Sequence, residues 1–331
     1  RFTLLTGSTP GNDMNLAESR IEYHRNFGNK LWQMSRFVWS NLGDYQPKAE
    51  PERAGLDLPS RWILSRLTGL VSNVQRLFDS YQYGEAGRQI LEFLWSEFAD
   101  WYIEISKAAL YGQDTGRREQ TLDVLMYVLN TCLRLLHPYM PYITEEIWGY
   151  LPTGGGPLIL AQWPVANEKY LDAEAEAQFN VLMELVRGIR NARAEYQVEP
   201  GHRISALIDP GSRRAMIEAH RDIFARLCNV GQITVIAEDD AAPQKAVTLV
   251  AADVTVYLPL ADLVDLEAER QRLQRELEGL EQQIARTAAL LANENFVSKA
   301  KPEVVQRERE KLTALQASRE AVVERLEALR G

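Results

Sequence analysis

Leu273-Gln-Arg-Glu-Leu277-Glu-Gly-Leu280-Glu-Gln-Gln-Ile284-Ala-Arg-Thr287-Ala-Ala-Leu-Leu291 spaces its seam positions by alternating fours and threes. The rhythm begins upstream at Leu263, Leu266 and Arg270. It returns after Pro302 at Val305, Glu308, Leu312, Leu315, Arg319, Val322, Leu326 and Leu329. Three–four spacing is the a/d seam of a coiled coil. The stretch from Asn293-Glu294-Asn295 to Lys301-Pro302 interrupts the seam, so the two helices are expected to fold back as an antiparallel hairpin. In that register Leu291 faces Val305, Ile284 faces Leu312, Leu277 faces Arg319 and Arg270 faces Leu326. The alternate layers pair Thr287 with Glu308, Leu280 with Leu315, Leu273 with Val322 and Leu266 with Leu329. Two of the polar intrusions, Thr287 and Glu308, share one layer. At 1.5 Å per residue, a helix of roughly 30 residues makes an arm of about 45 Å. Such an arm serves as a spacer, a dimerisation element or a partner-binding device.

Upstream, residues 20–150 read as a helical bundle. Trp62, Ile63, Leu67, Leu70, Val71, Val74, Leu77 and Phe78 follow helical spacing, with Ser60 after Pro59 as the expected N-cap. A second helix is expected from about Glu85 to Leu110, with Ile90, Leu91, Leu94, Trp95, Phe98, Tyr102 and Ile105 inward. A third runs from about Gln120 to Leu136, where His137-Pro138 stops it, and a short fourth covers about Thr144 to Leu151. The Pro/Gly-rich run Pro152–Pro157 is a break. Beyond it the pattern alternates: a helix near Ala173–Ala194, a strand at Ile204–Ile208, and a helix at Arg213–Leu227. Further β-rich runs follow at Ile233–Ala237, Ala246–Val250 and Val254–Leu258. That is a small α+β module.

The 331 residues are 46% hydrophobic and 25% charged, the profile of a globular protein. No apolar run approaches the length of a membrane span, and no basic-then-apolar leader is expected at the start. Two cysteines, Cys132 and Cys228, are too few for a disulfide framework or a CxxC zinc site. The reducing cytoplasm is the expected location. A net charge of −9 argues against a general nucleic-acid or anionic-membrane binder, so neither DNA nor membrane is expected as a partner. The four histidines form no HExxH, and neither a Walker A nor a GxSxG sequence is present. The pairs Glu145-Glu146 and Asp239-Asp240 read as a solvated helix face and an acidic turn.

What remains is recognition. Basic and aromatic residues interleave at Arg25-Asn26-Phe27, Lys30-Leu31-Trp32, Arg36-Phe37 and Arg61-Trp62. Arginine offers bidentate hydrogen bonds and aromatic faces stack unpaired bases, a combination suited to single-stranded RNA loops. The same aromatics can equally be core, with the arginines on a solvated face.

The segment Arg25-Asn-Phe-Gly-Asn-Lys-Leu-Trp-Gln-Met-Ser-Arg-Phe-Val38 resembles class I aminoacyl-tRNA synthetases of the valine/isoleucine/leucine group, where the catalytic domain passes into the anticodon-binding domain. Trp95-Ser-Glu-Phe-Ala-Asp-Trp-Tyr-Ile-Glu104 and Leu135-Leu-His-Pro-Tyr-Met-Pro-Tyr-Ile-Thr-Glu-Glu-Ile-Trp148 are similar to later helices of that domain. Gly7-Ser-Thr-Pro-Gly-Asn-Asp-Met14 looks like the stretch after the KMSKS loop of valyl-type enzymes. Asn295-Phe296-Val297, Lys299-Ala300 and Pro302 with Val304-Val305 resemble the tip of their arm, which isoleucyl and leucyl enzymes lack.

The resemblance implies a mainly α fold: an anticodon-binding helical bundle, a small α+β module and a C-terminal antiparallel coiled-coil hairpin. It implies residues 1–19 as the tail of a catalytic domain, 20–153 as the bundle, 154–262 as the α+β module and 263–331 as the tRNA-binding arm. The opening Arg1-Phe2-Thr3-Leu4-Leu5 reads as the interior of an element, and HIGH and KMSKS are absent, so a longer parent is expected. That parent would join valine to tRNA(Val) with ATP and Mg²⁺. The segment itself would be catalytically silent, monomeric and free of cofactor or metal. On the matched motifs, Arg36, Arg61 and Trp62 are candidates for anticodon contacts. Arg286, Lys299, Lys301, Arg307 and Lys311 are candidates for contacts with the tRNA elbow, Arg286 and Lys311 lying nearly opposite each other. The alternatives are the same region of an isoleucyl- or leucyl-type enzyme, or a non-enzymatic coiled-coil interaction protein.

Overall fold

The computed structural model describes residues 1–6, 16–152, 155–236, 243, 245–263, 266–292 and 302–328. The expectations placed on Gly7–Met14, on Asp239-Asp240 and on the arm tip through Lys301 lie outside the described residues. By its contacts the chain forms two compact units. One comprises residues 1–187, 212–228 and 251–254, and the other 188–211, 229–250 and 255–331.

In the first unit the elements run α1 (Phe2–Thr6), α2 (Glu18–Leu42), α3 (Leu58–Asp79), α4 (Tyr83–Glu92), a π-helical segment (Phe93–Ile103), α5 (Glu104–Leu110), α6 (Thr115–Leu136) and α7 (Pro141–Trp148). Helix α8 (Ala173–Glu195) begins in this unit, and α9 (Arg214–Ala219) and α10 (Arg221–Cys228) belong to it. The expected 213–227 helix breaks at His220, which leaves helical geometry at φ −123°, ψ 24°. Helix α10 packs on α5.

Two details of the bundle differ from the expectation. The cap of α3 is Asp57, whose carboxylate accepts the Ser60 N–H at 3.0 Å, with a proline in the first turn. Ser60 sits inside that turn, and its hydroxyl is engaged by the buried Tyr102 hydroxyl at 2.9 Å. The second change is the π-helical segment. Its wider turn moves the inward set to Phe93, Leu94, Phe98, Ala99, Trp101, Tyr102 and Ile103. Trp95, expected inward, is half-buried. Its ring stacks on Tyr23 at 5.5 Å and lies under the Lys30 ammonium at 4.7 Å.

The strands β1 (Ile204–Asp209), β2 (Val230–Val235), β3 (Ala246–Ala251) and β4 (Val254–Pro259), all but Ala251 and Val254 in the second unit, form a sheet in the order β2-β1-β4-β3. β1 runs parallel to β2, with Ile208 beside Val235, and antiparallel to β4, with Leu207 beside Tyr257. Alternation buries Ile204, Ala206 and Ile208 on β1 and Val254, Val256 and Leu258 on β4.

After the short α11 (Leu260–Leu263), helices α12 (Leu266–Ala292) and α13 (Pro302–Ala328) pack against each other as the hairpin. Leu273 and Val322, a pair of the expected register, share one buried cluster with Leu277 and Leu280 packed on it. Arg319 reaches across to Glu281 at 3.3 Å. Every described seam position from Leu273 to Leu291 and from Val305 to Val322 is buried or half-buried, while nearly all positions between them are exposed. Thr287 is buried and Glu308 half-buried.

Candidate nucleic-acid interface

The basic–aromatic stretches divide sharply once packed. On α2, Trp32, Arg36 and Trp39 follow at i, i+4 and i+7, so they share one face. Trp39 stacks on Tyr150 at 4.8 Å and 14°, and Trp32 meets both rings edge-on at 5.4 and 5.9 Å. The packing of α7 on α2 brings Tyr150, just past the end of α7, to this face. Tyr150 is 53% exposed, and the two tryptophans are half-buried. Arg36 is exposed and has no ion pair or hydrogen bond among the described residues. An unpaired guanidinium beside three clustered rings is a surface on which unpaired bases stack and phosphates dock.

The other half of the interleaved set is structural. Trp62 is 1% exposed and stacks on Phe179 at 4.2 Å, so it has no free face for a base. Arg61 donates to Asp172 at 3.2 Å. Asp172 also caps α8 by accepting the Ala175 N–H at 2.9 Å. Phe27 and Leu31 are core, and Lys30 is bound to Asp100 at 2.5 Å. Periodicity puts Trp62 on an inward face, and the packing follows periodicity rather than the Arg–Trp adjacency.

The loop after α2 is tied to the bundle from two sides. Asp123 of α6, itself buried, accepts from the Tyr45 hydroxyl and the Lys48 N–H. The Tyr170 hydroxyl donates to the Pro51 carbonyl at 2.8 Å. Arg118 at the start of α6 donates to the Asn41 carbonyl at 2.7 Å, closing the end of α2. Glu145, one of the paired carboxylates, accepts the Leu158 N–H at 3.0 Å and so serves the chain's own turn.

On the hairpin, Arg286, Arg307 and Lys311 are exposed, and Lys311 lies 3.7 Å from Glu308. Lys299 and Lys301 lie outside the described residues. Among the described residues no three His, Cys, Asp or Glu side chains converge as a metal site, and no helix is long and apolar enough to cross a membrane.

Comparison with known proteins fits this architecture. The anticodon-binding domain of tRNA ligases matches residues 60–208, a range that includes Arg61 and Trp62 and not Arg36. The chain thus carries an anticodon-binding domain of the tRNA-ligase class. The valyl-tRNA synthetase tRNA-binding arm matches residues 265–330. The valine–tRNA ligase of Carboxydothermus hydrogenoformans is 42% identical over 326 residues, 98% of this chain and 37% of that protein. Those of Listeria innocua and Symbiobacterium thermophilum are 38% and 39% identical, and each alignment takes in 100% of this chain and 38% of the relative. The chain carries the tRNA-binding domains of the valyl-tRNA synthetase family, and it spans under two fifths of the length of these curated relatives. The match to the valyl-type arm and to relatives named valine–tRNA ligase separates this assignment from the isoleucyl and leucyl alternatives and from an unrelated coiled-coil protein.

Proposed function

We propose that this chain supplies tRNA(Val) recognition to a protein that joins valine to that tRNA in the cytoplasm. The bundle reads the anticodon, the hairpin holds the elbow where the D and T loops meet, and the chain acts as a monomer. ATP and Mg²⁺ serve the ligation through residues other than these. The observation that carries the reading is the exposed, unpaired Arg36 on the same face of α2 as Trp32 and Trp39, with Tyr150 stacked on Trp39. An anticodon loop is single-stranded, so its bases can splay and stack on such rings. The elbow is folded RNA, which an arm reads by shape and phosphate contact with a salt-sensitive affinity. Arg286, Arg307 and Lys311, with Lys299 and Lys301, are the cations for that contact. Arg61 contributes by holding Asp172 and Trp62 by filling the core, rather than by touching bases.

The test is binding of tRNA(Val) transcripts with substituted anticodons to the 331-residue chain across a salt series. Affinity should fall when the anticodon changes. Replacing Arg286 and Lys311 together by Ala should weaken binding and flatten the salt slope by about one unit per lost phosphate contact. Equal affinity for all anticodons would remove the bundle assignment, and an unchanged slope would remove those two residues from the elbow contact.

A further inference from the structure

A cavity of about 470 Å³ opens between the loop after α2 and the middle of α6. Its volume suits a small molecule or a single extruded residue of a polymer. Helix α6 lines it with Tyr127, Asn130 and Arg134, at i, i+3 and i+7. One helix face thus carries a ring, a carboxamide and a guanidinium over roughly 10 Å of rise, comparable to a nucleotide from phosphate to base edge. Trp163, from the segment after α7, adds a second ring and is itself held against Phe78 at 5.1 Å.

The charge of the lining is decided by Arg134. Lys48 is bound to Glu52 at 2.7 Å, and Glu50 is bound by Lys169. Arg134 has no carboxylate in salt-bridge reach among the described residues. Its Nε is buried without a partner, and its Nη1 reaches only the Gln162 carbonyl at a long 3.3 Å. Burial lowers its pKa from the ordinary arginine value. A half-buried guanidinium short of acceptors is unfavourable by itself and is relieved by an anion, phosphate above all. The Asn130 carboxamide also makes no hydrogen bond among the described residues and is free to pair with a base edge.

We propose that this cavity binds a 5′-phosphorylated nucleoside, with the phosphate on Arg134, the base edge at Asn130 and the ring system against Tyr127 and Trp163. The site shares no residue with the Trp32–Arg36–Trp39–Tyr150 surface and goes beyond the reading of an anticodon there. The same chemistry is offered by an unstacked nucleotide of a bound RNA and by a free mononucleotide.

The experiment titrates the 331-residue chain with AMP, GMP, CMP and UMP, and separately with adenosine and inorganic phosphate, by NMR or calorimetry. At least one monophosphate should bind at a single saturable site, with adenosine and phosphate each about tenfold weaker or worse. Arg134→Met should weaken monophosphate binding by about tenfold or more, and Arg134→Lys by less. Asn130→Ala should alter the ranking of the four bases and leave the phosphate requirement intact; it also tests the site should Arg134→Met fail to fold. Absence of saturable binding in the millimolar range overturns the proposal, as does equal affinity in folded Arg134→Met or an unchanged ranking in Asn130→Ala. A tRNA(Val) transcript that displaces the bound monophosphate identifies an RNA nucleotide as the occupant. A transcript that binds alongside the monophosphate identifies the free nucleotide. Monophosphate binding with no tRNA binding at all supports the cavity and overturns the tRNA reading instead.

Discussion

Asp123 accepts a hydrogen bond from the Tyr45 hydroxyl at 2.9 Å, across 78 residues of chain. The same Oδ1 accepts the Lys48 backbone N–H at 2.8 Å. This carboxylate is therefore the pin that holds the loop after α2 against α6, and Pro47, Lys48, Ala49 and Glu50 of that loop form one rim of the Arg134 cavity. Burial and the Asp123 bond push the Tyr45 hydroxyl well above the usual phenol range. Asp123→Ala leaves both donors short of an acceptor and should cost about 2–4 kcal/mol in urea unfolding. Asp123→Asn keeps an oxygen in place and should cost less. A wild-type midpoint for Asp123→Ala would show that the loop is held by other means.

The rings around Arg36 and the ring of Trp62 make opposite predictions. Arg36→Ala should leave thermal unfolding within about 0.5 kcal/mol of wild type, since an exposed side chain without partners is removed. It should weaken tRNA binding and lower the salt slope by about one. Trp39→Ala should cost about 1–3 kcal/mol of RNA binding if one base stacks there. A tRNA affinity unchanged in both variants would dismiss this surface as the anticodon reader.

Trp62→Ala should instead behave as a core truncation, destabilising by about 3–5 kcal/mol. Its ring lies on Phe179, and Phe179 meets Trp101 edge-on at 6.2 Å, so the loss opens a void in an aromatic cluster. Trp62→Phe should cost less, and its tRNA affinity, measured well below the unfolding transition, should match wild type. A large affinity loss in folded Trp62→Phe would restore this residue to the interface.

How far the sequence discloses these features depends on how local their causes are. The hairpin is legible in advance because its seam is periodic, and periodicity survives any neighbour; Leu273 and Val322 meet as the spacing requires. The cap of α3 is less legible. Asp57 and Ser60 are both good capping residues, and the choice is made by Tyr102, distant in sequence, which engages the serine hydroxyl. The π-helical turn is invisible to a 3.6-residue reading, which puts Trp95 inward where the structure buries Trp101. The Arg134 cavity was out of reach for a similar reason. Tyr127, Asn130 and Arg134 read as one ordinary helix face until Trp163 and the loop at 47–50 enclose it.

Glu85 provides a pH test. Two hydrogen bonds from Arg88, at 2.6 and 2.8 Å, together with one from Gln89, hold its carboxyl down to about 2. A carboxyl lowered in the folded state adds stability above its unfolded value and loses it as pH falls through the folded value. The contribution is thus full at neutral pH and fades from about pH 4.5 towards pH 2. It is small, because the pair sits at the surface where solvent and salt screen it. Carbon-detected NMR titration should place the Glu85 midpoint near 2 in the wild type and near the ordinary 4.5 in Arg88→Ala. Superimposable titrations would show the pair to be absent in solution.

The hairpin register can be tested as an energy rather than a distance. Leu273 and Val322 are each nearly inaccessible, at 1% and 6% exposure, and they face each other. Leu273→Ala should cost about 2–5 kcal/mol and Val322→Ala somewhat less, as each leaves a cavity against the other. Because the two cavities are shared, the double variant should cost less than the sum of the single ones, by about 0.5–3 kcal/mol. Leu273→Ala combined with Leu315→Ala, one heptad out of register, should lie closer to additivity. A larger coupling for the out-of-register pair would mean that the helices are shifted by a heptad. Arg286 and Lys311 would then no longer lie nearly opposite each other, and their joint contact with the tRNA elbow would be lost.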